Sequence, residues 1–358
     1  MNKLIIVLIL ITLLSACARI GPDVIQAGGN DYNIAIQRTN DEQLLLNLIR
    51  LKYRDTPFFL EVNSVSSQFS LVSEAALSVN FKKQQIPENV GLSGRLNFTE
   101  RPTVTYLPLH GNDFIQRLLA PVSIDTILLL ANSGWSIERI MRLTVQSING
   151  IPNAPTASGP TPKTAPVYKE FQTIVSLFRS LQSADIMQLV YSQDGNGNHA
   201  TIVFDENGEQ QSTIQSLREK LDLDKQTKYM LLPGMGNTKD NQSIILSTRS
   251  LLGVMYYLSH SVEVPERDRA SGKVTITHDP SGMEFDWSDL TQGLFKIRSK
   301  PQAGNDTVIG TYYRGTWFYI DDSDLDSKTT FSLLTQLFSL QSGKAEGITP
   351  VLTLPIGQ

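Results

Sequence analysis

The sequence predicts an α+β protein of two mixed bodies, and three observations lead there. Segments with apolar residues three and four apart are interleaved with segments of period-two alternation, without the regular strand–helix–strand succession of a parallel α/β fold. The chain, 358 residues long and 41% hydrophobic, is a folded protein longer than one core usually supports. Between Gly150 and Pro166 the sequence GIPNAPTASGPTPKTAP holds five of the 17 prolines and one charge, Lys163. Such a run buries little apolar surface, so it is expected as an extended linker, or else as a long exposed loop of one body. The expected layout is a signal peptide over 1–16, a lipidated tether over 17–38, a first body over 39–149, the linker over 150–166 and a second body over 167–358.

In the first body, Thr39-Asn40-Asp41-Glu42 has the form of a capping box and predicts a helix from there to about Tyr53. Its Leu44, Leu45, Leu46, Leu48, Ile49 and Leu51 cover more than a narrow stripe, so it is expected between layers. Asp55-Thr56-Pro57 ends it, and strands are expected at Phe58 to Val62, Leu92 to Phe98 and Thr103 to Leu109. From His110 to Ser133 the spacing is helical, broken at Pro121 and stopped at Gly134. The second body opens with a helix over Val167 to Leu181, where Phe171, Ile174, Val175 and Phe178 recur at three and four. Met187 to Tyr191 and Thr201 to Phe204 read as a hairpin joined through Asp194-Gly195-Asn196-Gly197-Asn198, because Gly and Asn tolerate positive φ. Helices are expected at Thr213 to Leu221, Thr248 to Leu258 and Asp326 to Leu340. Further strands are expected at Tyr229 to Leu232, Ile244 to Leu246, Val274 to Thr277, Leu294 to Ile297 and Val308 to Ile320.

Met1-Asn2-Lys3 supplies a positive start, and Leu4 to Leu14 is an apolar run too short for the roughly 20 residues of a membrane-spanning helix. It reads as a signal peptide. Directly after it, Leu14-Ser15-Ala16-Cys17 resembles the bacterial lipobox, and Cys17 is the only cysteine in the chain. The resemblance implies that a lipoprotein signal peptidase recognises Leu14, Ser15 and Ala16, that the mature chain starts at Cys17, and that its thiol carries diacylglyceryl. The alternative is a plain secretory signal with an incidental cysteine. Each buried CH₂ contributes about 0.8 kcal/mol, so several acyl chains, palmitate among them, anchor far more firmly than one. By the sorting rule for Gram-negative lipoproteins, Ala18 in place of Asp implies the outer membrane, with the body expected on the periplasmic side.

Composition and motifs exclude several activities. With 31 basic against 35 acidic residues and few adjacent basic pairs such as Lys82-Lys83, the chain has no stripe for a phosphate backbone, so nucleic acid is not an expected partner. One cysteine excludes a disulfide framework or a multi-thiolate zinc site. His110, His199, His260 and His278 are scattered, without a His-x-x-x-His pair, and no Gly-x-Ser-x-Gly elbow occurs. Gly195-x-Gly197 precedes a strand where a dinucleotide site needs a helix. Asp194, Asn196 and Asn198 with Asp205, and Asp322, Asp324 and Asp326, imitate calcium-loop spacing, but His199 and Ser327 stand where the sharp turn needs Gly. The second cluster, which includes Asp321, is expected to start a helix, with Ser323-x-x-Asp326 as its capping box. Carboxylate pairs such as Glu284 and Asp286 carry no assignment. No catalytic residue, metal ligand or cofactor is therefore expected.

The most unusual stretch is Tyr312 to Ile320. Read as one strand, it puts Tyr313, Trp317 and Tyr319 on one face and Arg314 on the other, and these four residues form the candidate interaction surface. They suit a glycan platform or an interface anchor; the alternative is a strand buried on both faces. The span from Tyr313 to Gln341 (YRGTWFYIDDSDLDSKTTFSLLTQLFSLQ) also resembles the C-terminal region of a family of uncharacterised proteobacterial lipoproteins, which implies an envelope location and no mechanism. The functional expectation is an outer-membrane-anchored structural or interaction component of the envelope, for example of an assembly or secretion apparatus, with an envelope protein as partner. The alternatives are a peptidoglycan or glycan hydrolase and a glycan-binding module.

Overall fold

The computed structural model describes residues 20–81, 87–108, 112–194, 197–205, 210–234, 241–304 and 307–342. Leu14, Ser15, Ala16 and Cys17 lie outside the described residues. The fold is α+β, as the sequence implies, and the chain divides into two compact units: residues 59–109, and residues 1–58 together with 110–358.

The larger unit opens with α1 (Ile20–Lys52), longer than expected because the proposed capping box lies inside it. The Thr39 hydroxyl donates to the Ala35 carbonyl at 2.8 Å and Arg38 pairs with Glu42 at 2.8 Å, so both candidate capping groups act along a continuing helix. Residues 20–38 of the expected tether are accordingly helix. Leu45, Leu48, Ile49 and Leu51 are fully buried, and Asn47 ties down the chain beyond the helix by exchanging two hydrogen bonds with the Phe58 backbone.

Helices α2 (Asn112–Leu119), α3 (Ile124–Asn132) and α4 (Ile137–Thr144) follow, with the breaks near Pro121 and Gly134 that the spacing implies. Ser123 and Ser136 cap α3 and α4 by accepting the amide hydrogens of Thr126 and Arg139. Next come β3 (Val145–Ile148), β4 (Ile151–Pro152), α5 (Lys169–Ser183), β5 (Met187–Asp194), β6 (Gly197–Phe204), α6 (Gln211–Leu221), β7 (Lys228–Pro233), β8 (Ser243–Thr248) and α7 (Leu251–Ser259). The strands form one six-stranded sheet in the order β4-β3-β8-β7-β6-β5, antiparallel except for β7 with β8. The Asp194↔Gly197 register confirms the expected hairpin, although Gly195 and Asn196, the middle of one calcium-like loop, lie outside the described residues. Two short helices, α8 (Glu266–Ala270) and α9 (Ser288–Thr291), precede β9 (Arg298–Lys300), β10 (Thr307–Tyr313), β11 (Thr316–Asp321) and α10 (Leu325–Ser342). The last three strands form a sheet in the order β10-β11-β9.

This sheet arrangement corrects the expected linker. β3, on one side of residues 150–166, pairs with β8, on the other, so no domain boundary separates 39–149 from 167–358. The proline-rich run is packed, with Asn153, Ala154 and Ala157 at 0% exposure and Thr161 at 2%. Val274 to Thr277 and Leu294 to Ile297 are also not ladder strands. Isolated bridges at their ends, from His278 to Thr164 and Glu284 and from Ile297 to Val262, hold these irregular segments in place.

The smaller unit is one hairpin, β1 (Leu60–Phe81) and β2 (Pro87–Pro108), antiparallel with register Leu60↔Pro108 through Phe81↔Pro87. Its 22-residue strands absorb all three short strands expected there. Among the described residues no other strand pairs with either.

Candidate functional site

A cavity of ≈ 440 Å³ opens in the larger unit, lined by Lys52, His260, Arg269, Thr277, Glu284 and Trp287 among others. Lys52 reaches it because Leu45, Leu48 and Lys52 recur at three and four along α1, which puts a lysine on the buried stripe of the helix. The residue is 6% exposed, its ammonium lies 5.9 Å from the Trp287 ring centroid, and no hydrogen-bond acceptor or carboxylate in the structure partners it. Burial, reinforced by the Arg269 charge and opposed by Glu284, pulls its pKa down to about 8.

The His260 imidazole stacks on Trp287 with ring centroids 4.0 Å apart. Its Nε2 is 3.0 Å from the Ala157 carbonyl, which can only accept, so Nε2 carries the proton. Nδ1 is then the acceptor for the Thr161 hydroxyl at 3.4 Å. With both nitrogens engaged and burial holding its pKa well below the usual value, His260 is a neutral structural ring. The Trp287 indole N–H donates to the Thr277 hydroxyl at 3.1 Å, which in turn donates to the Pro162 carbonyl. At the rim Arg269 clasps Glu284 through both carboxylate oxygens. Among the described residues no hydrogen-bond acceptor or carboxylate partners the Lys52 amine, which lies buried beside an indole and is suited to receiving a small anionic group or, above about pH 8, to adding to a carbonyl.

Behind His260 the proline-rich run supplies the Ala157 carbonyl and the Thr161 hydroxyl, and it is held by a second buried cation. Arg249, at 0% exposure, donates to the carbonyls of Arg142, Leu143 and Val145 at 3.1, 3.1 and 2.6 Å, to the Asn153 carbonyl, and to the Ser158 hydroxyl at 2.9 Å. Arg142 and Leu143 are in the last turn of α4, so the guanidinium sits where the helix dipole is negative and carbonyls lack helical partners. Asn153 adds amide hydrogen bonds to Arg142 and Val145. Burial lowers the Arg249 pKa only to about 10, which leaves it charged at neutral pH.

The predicted aromatic surface is divided. Arg314 and Gly315, at φ 49° and 74°, form a two-residue turn between β10 and β11, so Tyr312 to Ile320 is a hairpin and not one strand. Tyr312 pairs with Trp317 and shares a face with Tyr319, whereas Tyr313 pairs with Thr316 on the opposite face. Tyr313 and Arg314 both engage Asp55, Arg314 at 2.9 Å, while Lys300 covers the buried Tyr319 ring at 4.2 Å. Of the four candidate residues and Tyr312, Tyr312 and Arg314 are exposed, and Trp317, half-buried, packs edge-to-face on Tyr312 with centroids 4.7 Å apart. Trp317 lies so close over Gly310 that a Cβ there would be 2.3 Å from its Cζ2.

The acidic cluster is spread over separate tasks. Asp324, not Ser323, caps α10 by accepting the Ser327 amide at 3.0 Å; Asp326 pairs with Arg139 at 2.7 Å, Asp322 with Lys328 at 2.7 Å, and Asp321 accepts the Ser323 amide at 3.0 Å. Among the described residues no group of three or more His, Cys, Asp or Glu side chains is placed to share a metal ion, and no helix is long and apolar enough to cross a membrane. Compared with protein-family models, curated proteins and solved structures, the chain matches none.

Sequence reasoning missed Lys52, Trp287 and Arg249. Lys52 carried a readable signal, a charge in register with a buried leucine stripe. The other two did not, because Arg249 meets carbonyls roughly a hundred positions away and Trp287 meets Lys52 more than two hundred positions away.

Proposed function

We propose that the protein is an outer-membrane-anchored lipoprotein and serves as a structural or interaction component of the cell envelope. The lipobox at Leu14-Ser15-Ala16-Cys17 supports the location. The interaction role rests on one observation: the 22-residue strands form a two-stranded sheet with which, among the described residues, no further strand pairs, and such sheet edges are templates for another strand. The glycan-platform reading loses two of its four residues, Tyr313 and Arg314, to Asp55.

The test is metabolic labelling with palmitate followed by flotation of membranes. The native chain is expected to incorporate label and float with the outer membrane, and Cys17→Ala is expected to remain unlabelled precursor. A Cys17→Ala variant that is processed and floats like the native chain overturns the anchor.

A further inference from the structure

The hairpin changes character along its length. From Phe69 to Phe81 the odd-numbered positions of β1 are Phe69, Leu71, Ser73, Ala75, Leu77, Val79 and Phe81. The register puts Phe98, Leu96, Gly94, Leu92 and Val90 of β2 on that same face. These twelve positions hold no charge and a single hydroxyl. The opposite face pairs Ser70, Val72, Glu74, Ala76, Ser78 and Asn80 with Thr99, Asn97, Arg95, Ser93, Gly91 and Asn89, so it is polar apart from Val72, Ala76 and Gly91. Glu74 and Arg95 are therefore set directly across from one another on the polar face. Just beyond Phe69 the pattern ends: its partner is Glu100, followed by Gln68↔Arg101, and both faces then carry polar residues toward Leu60.

Alternation of this kind is what a strand needs when lipid lies on one side and water on the other. The apolar band also has the right height. Twelve residue steps of about 3.4 Å give roughly 40 Å along the strand, and a tilt of about 40° reduces this to roughly 30 Å, the thickness of a bilayer's hydrocarbon core. Phenylalanines stand at both ends of the band, Phe69 and Phe98 at one and Phe81 at the other, where transmembrane barrels carry their aromatic girdles. A lone hairpin cannot stay in that position, because two open edges would hold unpaired N–H and C=O groups in hydrocarbon. The edges must be closed by further strands. The free edge of β1 on one chain and the free edge of β2 on the next run antiparallel, so identical hairpins can continue the ladder until it closes on itself.

We propose that the segments Phe69–Phe81 and Val90–Phe98 span the outer membrane as one repeat of a β-barrel formed by several copies of this chain, with the apolar face toward acyl chains and the Glu74/Arg95 face toward an aqueous lumen. Barrels of this class start at about eight strands, so closure takes at least about four copies. This rests on the envelope location proposed above. The connecting sequence Lys82-Lys83-Gln84-Gln85-Ile86 then emerges on the cell exterior.

The test uses the full, lipidated chain in its native membrane. Gln84→Cys is expected to react on intact cells with a membrane-impermeant maleimide, whereas Tyr191→Cys, an exposed site in the larger unit, is expected to react only after lysis. Outer membranes holding Ser70→Cys and Thr99→Cys copies together are expected to give dimers with a short bismaleimide, and either variant alone few or none. Leu77→Arg, in the middle of the apolar band, is expected to abolish Gln84→Cys labelling and these dimers, while Ser78→Arg, one residue away on the polar face, leaves both in place. A chain that is lipidated and floats with the outer membrane, yet shows no labelling of intact cells and no mixed dimers, overturns the barrel and leaves the anchor standing. Loss of lipidation and flotation in the native chain overturns the anchor itself.

Discussion

The proline-rich run 150–166 and the hairpin 59–109 are both poor in uninterrupted apolar sequence, yet the first is packed into its unit through buried Asn153, Ala154, Ala157 and Thr161, and the second stands as a separate two-stranded sheet. What separates them is where backbone polar groups find partners. In the proline-rich run the Asn153 carbonyl accepts from Arg249, and the Asn153 amide donates to the Arg142 and Val145 carbonyls where α4 meets β3, so the run is tied in by hydrogen bonds with few large apolar side chains. In the hairpin the inner edges satisfy one another, and among the described residues no further strand pairs with the outer edges. A segment's fate follows its hydrogen-bond partners as closely as its hydrophobicity.

The strongest way to break the comparison is to remove the cation. Arg249→Met leaves several buried carbonyls without donors and is expected to destabilise the larger unit by roughly 3–5 kcal/mol, a loss readable by denaturant unfolding. In the native chain, limited proteolysis is expected to leave 150–166 intact. In Arg249→Met the first cuts are expected to move into that run while hydrogen exchange across the hairpin is unchanged. A variant of native stability would mean that packing alone holds the segment.

Lys52 sharpens the same point with the opposite sign, because its charge has no partner. Its folded pKa, about 8, lies below the ordinary 10.5, so between those values the unfolded chain binds more protons and stability rises with pH. Below about pH 8 the folded state carries the full cost of the buried ammonium. Lys52→Met is therefore expected to stabilise the protein by roughly 2–4 kcal/mol at pH 7 and to flatten the rise between pH 8 and 10. Thermal melts across that window decide it; identical pH slopes for both chains would show that Lys52 is charged and solvated in the fold.

Much of the fold was legible where one kind of local regularity ran unbroken. Phe171, Ile174, Val175 and Phe178 recur at helical spacing, and all four are completely buried in α5. The long hairpin was not legible, because residues 63–91 alternate Ser and Ala with the larger residues, and only the register with β2 shows that the apolar ones share a face. Two turns were readable and passed over: Asn149-Gly150 and Arg314-Gly315, each with two consecutive positive φ values closing a two-residue hairpin. The cavity was hidden for a different reason. Its wall joins Lys52, His260 and Trp287 across more than two hundred positions, and no local pattern encodes that meeting.

Close approach of backbone and ring gives a smaller effect at β10. Gly310→Ala places a methyl group against Trp317, whose ring must then leave its position over the strand and its contact with Tyr312. A loss of about 1–3 kcal/mol is expected, together with a change in Trp317 fluorescence, because Trp317→Phe in the same background should recover part of the loss. Stability equal to the native chain would mean the ring turns aside without penalty.

The smallest expected effects lie in the acidic turn, where neighbouring carboxylates do different work. Asp324 accepts a backbone amide and the Ser327 hydroxyl at the start of α10, so Asp324→Ala leaves a helix donor unsatisfied and is expected to cost about 1 kcal/mol. Asp322, two residues earlier, is exposed and meets only Lys328, a surface ion pair of the kind that contributes less than about 1 kcal/mol and is screened by salt. Asp322→Ala is expected to shift stability by no more than a few tenths of a kcal/mol. Calcium separates this division of labour from a metal site. A ligand that binds only the folded state stabilises by RT ln(1 + [L]/Kd), so millimolar calcium at tenfold saturation would add about 1.4 kcal/mol and raise the melting temperature by a few degrees. With each carboxylate already committed to its own partner, no such rise is expected. A calcium-dependent rise that disappears in Asp322→Ala would show that the side chains reorganise around an ion, and that backbone satisfaction is not what orders this turn.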